Sequence, residues 1–315
     1  MIDLCTLGTI GGMPMVDKFL SSTLININGR KILIDCGEGT QVAMRKIGWG
    51  FKSLDLICIT HSHGDHTIGL PGLLSTIGNC GRSEKITIVG PKGFKEIVNG
   101  LNVINPYLPY ELEIIELENN ELKFLINTNG TSLCENDDKC NLILSSLEVE
   151  HSAKCLSYNF YIKRFPRFSV DKAIKNNVPK TLWNKLQSQE TINYNNRIYT
   201  PDLVLDNERK GIKISYVTDT RPTNAIPDFI KYSDLFICEG TYGSDEDIEK
   251  AIKNKHMTFR ESATLAQNGE CKELILTHFS PALSNPESYI YNAKEVFENS
   301  NVAHDGLIKN LKFID

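Results

Sequence analysis

No stretch of this chain is apolar for long enough to span a bilayer, so a membrane-spanning helix is not expected. The first dozen residues lack a basic start followed by an apolar run. No signal peptide is therefore expected, and the cytoplasm is the default compartment. The cysteines number nine, an odd count, and include no Cys-x-x-Cys pair. That argues against a disulfide framework in a chain of this size. Cys58 and Cys238 lie inside apolar runs and read as small buried hydrophobes. The closest pair, Cys134 and Cys140, sits in a polar, loop-like stretch. A long-period repeat is missing, and so is any low-complexity tract. A surplus of positive charge is missing too: the net charge is −5, which for the chain as a whole argues mildly against a polyanionic substrate.

What is present is an ordinary globular composition, 41% hydrophobic and 23% charged over 315 residues. It suits one large α/β domain over residues 1–315, with an insertion. Residues 23–27 and 31–34 read as strands around Asn28-Gly29, a favoured two-residue hairpin turn. Further strands are expected at 56–59, 85–89, 111–117, 122–126, 142–149, 158–162, 212–217, 235–238 and 274–276. Helices are expected at 41–47, at 92–101, at 259–267 and after residue 66, where Pro71 marks a start or a kink. Residues 129–141 are polar and read as a loop. Residues 166–197 break the rhythm with two short helical candidates, 170–176 and 181–186, separated by Pro179.

Apolar strands in this reading repeatedly end at a metal-competent or acidic residue: His61, His151, Asp219, Glu239 and His278. Layered α/β folds gather reactive groups on loops at one sheet edge, so these endings suggest loops converging on one site. The densest segment is Thr60-His61-Ser62-His63-Gly64-Asp65-His66. Its imidazoles and carboxylate suit zinc and related ions. A lone histidine is more often a packed or surface residue than a ligand. Three of the seven histidines plus Asp65 in six residues are poorly explained by chance. Four ligands so close in sequence cannot comfortably wrap one tetrahedral ion, and two adjacent metals are the natural solution. His151, Asp219 and His278 are the best candidates to complete them. Asp219 has two oxygens and could bridge.

These blocks carry a resemblance. Leu7-Gly8-Thr9, the run from Ile34 through Gln41 (Ile-Asp-Cys-Gly-Glu-Gly-Thr-Gln), the histidine cluster and Gly69-Leu70-Pro71-Gly72-Leu73-Leu74 come first. Asp219-Thr220-Arg221-Pro222, Cys238-Glu239-Gly240-Thr241, His256-Met257-Thr258 and Thr277-His278-Phe279-Ser280 follow. In this order they resemble the metallo-β-lactamase superfamily and, within it, the ribonuclease Z family of transfer-RNA 3′-processing endonucleases. The resemblance implies an αββα sandwich with an inserted, protruding arm, here residues 163–199, and two zinc ions per subunit, with manganese as the other candidate. His61, His63 and His151 would hold one ion, Asp65, His66 and His278 the other, and Asp219 would bridge them. Asp65 would also orient the attacking hydroxide or accept its proton. His256, made more basic by Glu239, would protonate the departing 3′ oxygen. Taken alone, His256 reads as a surface or helix-start histidine and Glu239 as a structural strand-end carboxylate. No block includes His304, which reads as a turn residue.

The stretch 163–185 carries Lys163, Arg164, Arg167, Lys172, Lys175, Lys180 and Lys185 against one acid, Asp171. Its formal charge is +6, which leaves −11 for the rest. Such a segment either grips phosphates or is a pair of solvated helices with lysines outward. The resemblance favours the first and implies precursor transfer RNA as partner, within a homodimer whose arms serve the partner's site. The chain departs from the family at three places. Val178-Pro179-Lys180-Thr181 lacks the usual glycine beside the proline, Thr218 replaces a glycine before Asp219, and Asp17-Lys18 occupies a loop that usually carries arginine. A general or cyclic-nucleotide phosphodiesterase and a catalytically silent RNA-binding scaffold are the competing readings.

Overall fold

The computed structural model describes residues 2–134 and 139–314. Among them, two large sheets face each other. One has seven strands in the spatial order Leu307–Leu311, Ile2–Gly8, Ser22–Ile27, Arg30–Ile34, Leu54–Cys58, Ile86–Pro91 and Leu112–Leu117. The other has eight: Ser300–Val302, Leu274–Thr277, Leu235–Glu239, Arg209–Val217, Cys155–Arg164, Leu142–Val149, Glu121–Asn127 and Gly130–Leu133. Helices cover both outer faces, so the architecture is the expected αββα sandwich.

The period-two geometry of strands explains why so many of them read as unbroken apolar runs. In Leu54–Cys58 every residue is buried. Leu56 and Cys58 point into the core between the sheets, whereas Leu54 and Ile57 pack against Leu73, Leu74 and Phe94 of the outer helices. Leu235–Glu239 repeats the pattern. Leu235 and Ile237 face the inner core, and Phe236 and Cys238 face Ile226, Phe259 and Ala263. A strand buried on both faces has no polar side to alternate.

Arg209–Val217, Leu235–Glu239 and Leu274–Thr277 run parallel, as do Arg30–Ile34, Leu54–Cys58 and Ile86–Pro91. Parallel neighbours need crossover connections, and most of these are helices: Thr40–Ile47, Leu70–Asn79, Ala225–Ile230 and Phe259–Asn268. Carboxyl ends therefore collect along one edge of each sheet.

The polar stretch 129–141 differs from the expected loop. Gly130–Leu133 is an edge strand paired to Glu121–Asn127. Polar residues are tolerated there because an edge strand is wetted along one side. Residues 135–138 of that stretch lie outside the described residues. Cys5, Cys36, Cys58, Cys80, Cys155, Cys238 and Cys271 are free thiols.

Between the strands Cys155–Arg164 and Arg209–Val217 the chain leaves the sheet. This excursion contains helices Val170–Lys175 and Trp183–Gln187 and a hairpin, Ile192–Tyr194 with Arg197–Tyr199. Asn195 and Asn196 turn the hairpin, both with positive φ, as a two-residue primed turn requires. Ala173, Val178, Leu182, Leu186, Tyr199, Val204 and Leu205 make a separate small core for it. The missing glycine beside Pro179 finds its explanation here. Helix Val170–Lys175 ends with Asn177 at φ 53°. The Val178 amide donates to the Ala173 carbonyl and the Asn177 amide to that of Ile174, 2.9 and 3.0 Å. That is a Schellman ending with asparagine in the left-handed position, one residue before the valine.

Candidate metal centre

The loops after five strands meet at one place. His61 follows Leu54–Cys58, His151 follows Leu142–Val149, Asp219 follows Arg209–Val217, and His278 follows Leu274–Thr277. Glu239 is the last residue of its strand. Asp35, Asp219, Lys255 and His278 all have left-handed backbones, at φ 58, 49, 58 and 56°. For residues with a Cβ this costs on the order of 1 kcal/mol each, and such strain concentrates where side chains must be re-aimed.

Two groups of four ligand atoms result. In the first, His61 Nε2 lies 3.0 Å from His63 Nδ1, and His151 Nε2 lies 3.3 Å from that same atom. Asp219 Oδ2 is 3.6 Å from His61 Nε2 and 3.7 Å from His151 Nε2. In the second, His66 Nε2 and His278 Nε2 are 3.1 Å apart. Asp65 Oδ2 is 3.4 and 3.5 Å from them, and Asp219 Oδ1 3.4 and 3.2 Å. Ligands at about 2.0–2.1 Å from a tetrahedral zinc are separated by roughly 3.3 Å. Both quartets have that edge length, so the donor set fits two such ions, with one oxygen of Asp219 turned to each. A third grouping, Asp219 with His256 and His278, also lies within reach of one ion. It adds no separate site, because Asp219 and His278 already belong to the quartets.

In His66, His61, His151 and His278 the ring nitrogen that faces away from the quartets is held. His66 Nδ1 meets Asp35 Oδ2 at 2.8 Å, and His61 Nδ1 meets Thr60 Oγ1 at 3.1 Å. Thr60 in turn donates its amide and hydroxyl to Asp35. His151 Nδ1 meets the Lys255 carbonyl and His278 Nδ1 meets Thr241 Oγ1, each at 3.3 Å. An acceptor on Nδ1 places the proton there and leaves Nε2 with its lone pair toward an ion. Thr218 donates to Asp219 Oδ1 at 2.6 Å, a contact that a glycine at that position could not make. The Gly12 amide donates to Asp65 Oδ2 at 2.6 Å.

Charge is distributed unevenly over these groups. Burial and the neighbouring histidines push His61 down, although Asp219 opposes them. Burial also acts against a charged His66, but Asp219 and Asp35 outweigh it and raise that residue well above the usual range.

Glu239 is completely buried. It accepts from the Thr220 amide, the Met257 amide, the Thr241 hydroxyl and His256 Nδ1. Burial lowers the basicity of His256, but the Glu239 carboxylate outweighs it and lifts the imidazole to about 9. Ring centroids of His256 and His278 are 5.5 Å apart, and those of His256 and His151 5.3 Å. The His256 imidazole therefore stands beside both quartets.

All of the expected ligands, Asp65, Glu239 and His256 thus come together. The seven basic residues do not join them. Lys163 and Arg164 lie in the strand Cys155–Arg164, which runs antiparallel to Arg209–Val217 and so away from the ligands. Ten residues at about 3.3 Å each put the root of the excursion roughly 30 Å along the sheet. Arg164 donates to the Ile314 carbonyl and covers the Phe313 ring, and Lys172 donates to the Leu205 carbonyl. Lys180 stands over the Trp183 ring. Arg167, Lys175, Lys180 and Lys185 are exposed. His304 is an exposed turn residue, while its neighbour Asp305 takes the Thr9 hydroxyl and the Phe19 amide.

Reading the residues missed Gly11, Gly12, Asp35, Thr60, Thr241, Arg221 and Lys255 as parts of the site. An acid directly after an apolar strand was a signal for Asp35. Lys255 acts through its carbonyl and gave none.

A family model described as Anti-Pycsar protein Apyc1 matches residues 2–195. The chain is 85% identical over 315 residues to a Ribonuclease Z of Clostridium botulinum (strain Eklund 17B / Type B), covering all of both chains. It is 57% identical to a Ribonuclease Z of Clostridium perfringens, over 99% of each. Among solved structures it resembles the short form of human tRNase Z, with a TM-score of 0.68 at 23% identity, over 98% of this chain and 99% of that one. The metallo-β-lactamase fold protein YhfI of Bacillus subtilis also gives 0.68, at 17% identity, over 98% and 100%.

Proposed function

The chain belongs to the ribonuclease Z family and, over residues 2–195, to the family described as Anti-Pycsar protein Apyc1; from that premise, a transfer-RNA 3′-processing endoribonuclease, we propose a two-zinc mechanism with His256 as general acid. The observation that carries it is the division of Asp219 between two ligand quartets with the Glu239–His256 pair beside them. His61, His63 and His151 would hold one ion, Asp65, His66 and His278 the other, and Asp219 both. Manganese suits the same oxygen and imidazole donors. Zinc bound at such a site lowers the pKa of water to about 7 and polarises phosphoryl oxygens.

The remaining steps belong to the protein's own groups. Asp65, oriented by the Gly12 amide, accepts the hydrogen bond of the attacking water and takes its proton as the new O–P bond forms. The P–O3′ bond breaks, and His256 delivers a proton to that oxygen. A sugar alkoxide leaves poorly without one. Glu239 fixes the imidazole through Nδ1 and so turns Nε2 toward the leaving group.

The exposed Lys175, Lys180 and Lys185, with Lys163, Arg164, Arg167 and Lys172 at the base of the excursion, supply a cationic surface for the body of the transfer RNA. We take residues 163–199 as this arm of an otherwise single domain. With its root so far from its own quartets, it is suited to serve the site of a second copy, which supports a homodimer. The free thiols of Cys5, Cys36, Cys58, Cys80, Cys155, Cys238 and Cys271 fit a reducing compartment, and so support the cytoplasm. No helix among the described residues is long and apolar enough to cross a membrane.

Incubation of the purified chain with precursor transfer RNA and zinc or manganese tests the proposal. Release of the 3′ trailer is expected. Cleavage of small or cyclic phosphodiesters with no trailer released would replace it with a general phosphodiesterase.

A further inference from the structure

His256 sits on a short segment that is pinned residue by residue. Its amide donates to the Ala251 carbonyl at 2.9 Å, closing the helix Ile248–Asn254 through left-handed Lys255. The next amide, of Met257, goes to Glu239 at 3.0 Å, and the Thr258 amide goes to Glu261 at 2.9 Å. The carbonyl of Met257 accepts from the Tyr242 amide at 3.2 Å. The carbonyl of His256 itself is taken by the guanidinium of Arg221, through Nη1.

Arg221 reaches that carbonyl in a fixed posture. It forms a two-pronged pair with Glu261, Nη1 to Oε2 at 3.0 Å and Nη2 to Oε1. Glu261 is itself held by the capping box that starts the helix Phe259–Asn268 with Thr258. Only 15% of the Arg221 side chain and 21% of the Glu261 side chain are exposed. The Arg221 amide donates to the Glu150 carbonyl at 3.1 Å, next to His151. A planar fork of donors satisfies two carboxylate oxygens and one carbonyl together, which the single ammonium of a lysine cannot.

We propose that Arg221 is a positioning residue for proton delivery: it locks the backbone of His256 so that the imidazole meets the departing oxygen. This rests on the reading of His256 as general acid. The bland alternative is that Arg221–Glu261 is a stabilising ion pair whose loss would weaken every property alike. A second alternative follows from its position two residues after Asp219, where its loss would disturb the ions instead.

The test compares precursor transfer RNA with the same RNA carrying sulfur in place of the scissile 3′ oxygen. A thiolate leaves without being protonated, so the sulfur substrate bypasses the general acid. The zinc-loaded full chain is used, with metal content and thermal midpoint measured for each variant. His256→Ala is expected to lose about 100-fold or more on the oxygen substrate, at the scale of general acid catalysis, and little on the sulfur one. Arg221→Met is expected to share that pattern with a smaller loss, about 10-fold or more, because a small misplacement of a reacting group is costly. Both ions should be retained. Arg221→Lys, which keeps the charge and is the gentler change for folding, should fall between.

If His256→Ala loses equally on both substrates, the acid assignment fails, and the role of Arg221 with it. If His256→Ala discriminates while Arg221→Met and Arg221→Lys fall equally on both, or lose metal, or lose nothing, the positioning role alone is overturned.

Discussion

Gly11 rests against the imidazole of His278, so closely that a Cβ on Gly11 would lie 2.3 Å from Cε1 of that ring. The Gly11 amide also donates to the Phe279 carbonyl at 3.0 Å, and the next amide, of Gly12, reaches Asp65. One loop thus touches two groups of the same quartet. Gly11→Ala should push the ring or the loop aside, at an overpacking cost of about 1–3 kcal/mol. We expect the ion held by Asp65, His66 and His278 to bind at least tenfold more weakly, while the first quartet is spared. Metal titration of the variant followed by calorimetry would check this, and unchanged binding at both subsites would refute it.

Asp219 should be the most damaging ligand to lose, because its two oxygens face different quartets. We expect two zinc ions per chain in the native protein, about one in His63→Ala, and close to none in Asp219→Ala. Elemental analysis after dialysis reads this directly. Chelation should also lower the thermal midpoint of the native protein, since ions that bind only the folded state add stability by mass action. Asp219→Ala should show no such response. One retained ion in Asp219→Ala would show that the quartets do not depend on a shared carboxylate.

The ligands were legible because they combine rare side chains with strand ends. His61, His63, Asp65 and His66 crowd one segment, and His151, Asp219 and His278 each follow an apolar strand. The groups that support them were not legible, because they act through conformation or across long sequence separations. Asp35 reaches His66 from a left-handed backbone, Lys255 offers only its carbonyl, and Arg221 meets Glu261 forty positions away. The fold shows the same division. Most strands buried on both faces stood out as apolar runs. The strand Ile2–Gly8, with Asp3 and Thr6 among its apolar residues, and the short helices Ala225–Ile230 and Ile248–Asn254 did not. Six or seven residues are too few for a 3.6-residue period to declare itself.

The exposed lysines of the excursion should contribute affinity rather than chemistry. Lys175, Lys180 and Lys185 together should account for about two to three released counterions, given a slope of roughly 0.7–0.9 per phosphate contact. The triple alanine variant is therefore expected to bind precursor transfer RNA more weakly, with a salt dependence flatter by about that amount. Its cleavage rate at saturating RNA and its activity on a small phosphodiester should be unchanged. Binding measured across a range of salt concentrations decides this; an unaltered slope would assign these lysines to a merely solvated face.

Asn177 makes the sharpest demand on backbone conformation in the excursion. Its φ of 53° lets the amides of Asn177 and Val178 close the helix Val170–Lys175, and Val178 then enters the small core with Ala173 and Leu182. Glycine and asparagine accept this region readily, whereas a β-branched side chain does not. Asn177→Gly should therefore be near neutral. Asn177→Val should cost about 1–2 kcal/mol, and a core this small has little to spare against such a loss. The excursion would then open locally while the sandwich and its ligands stay folded. Hydrogen exchange should show faster exchange over 165–208 alone, together with weaker binding of precursor transfer RNA and an intact rate on small phosphodiesters. If Asn177→Val instead unfolds the whole chain in one transition, the excursion is not a separately stable unit, and its helices are held by the sandwich rather than by their own core.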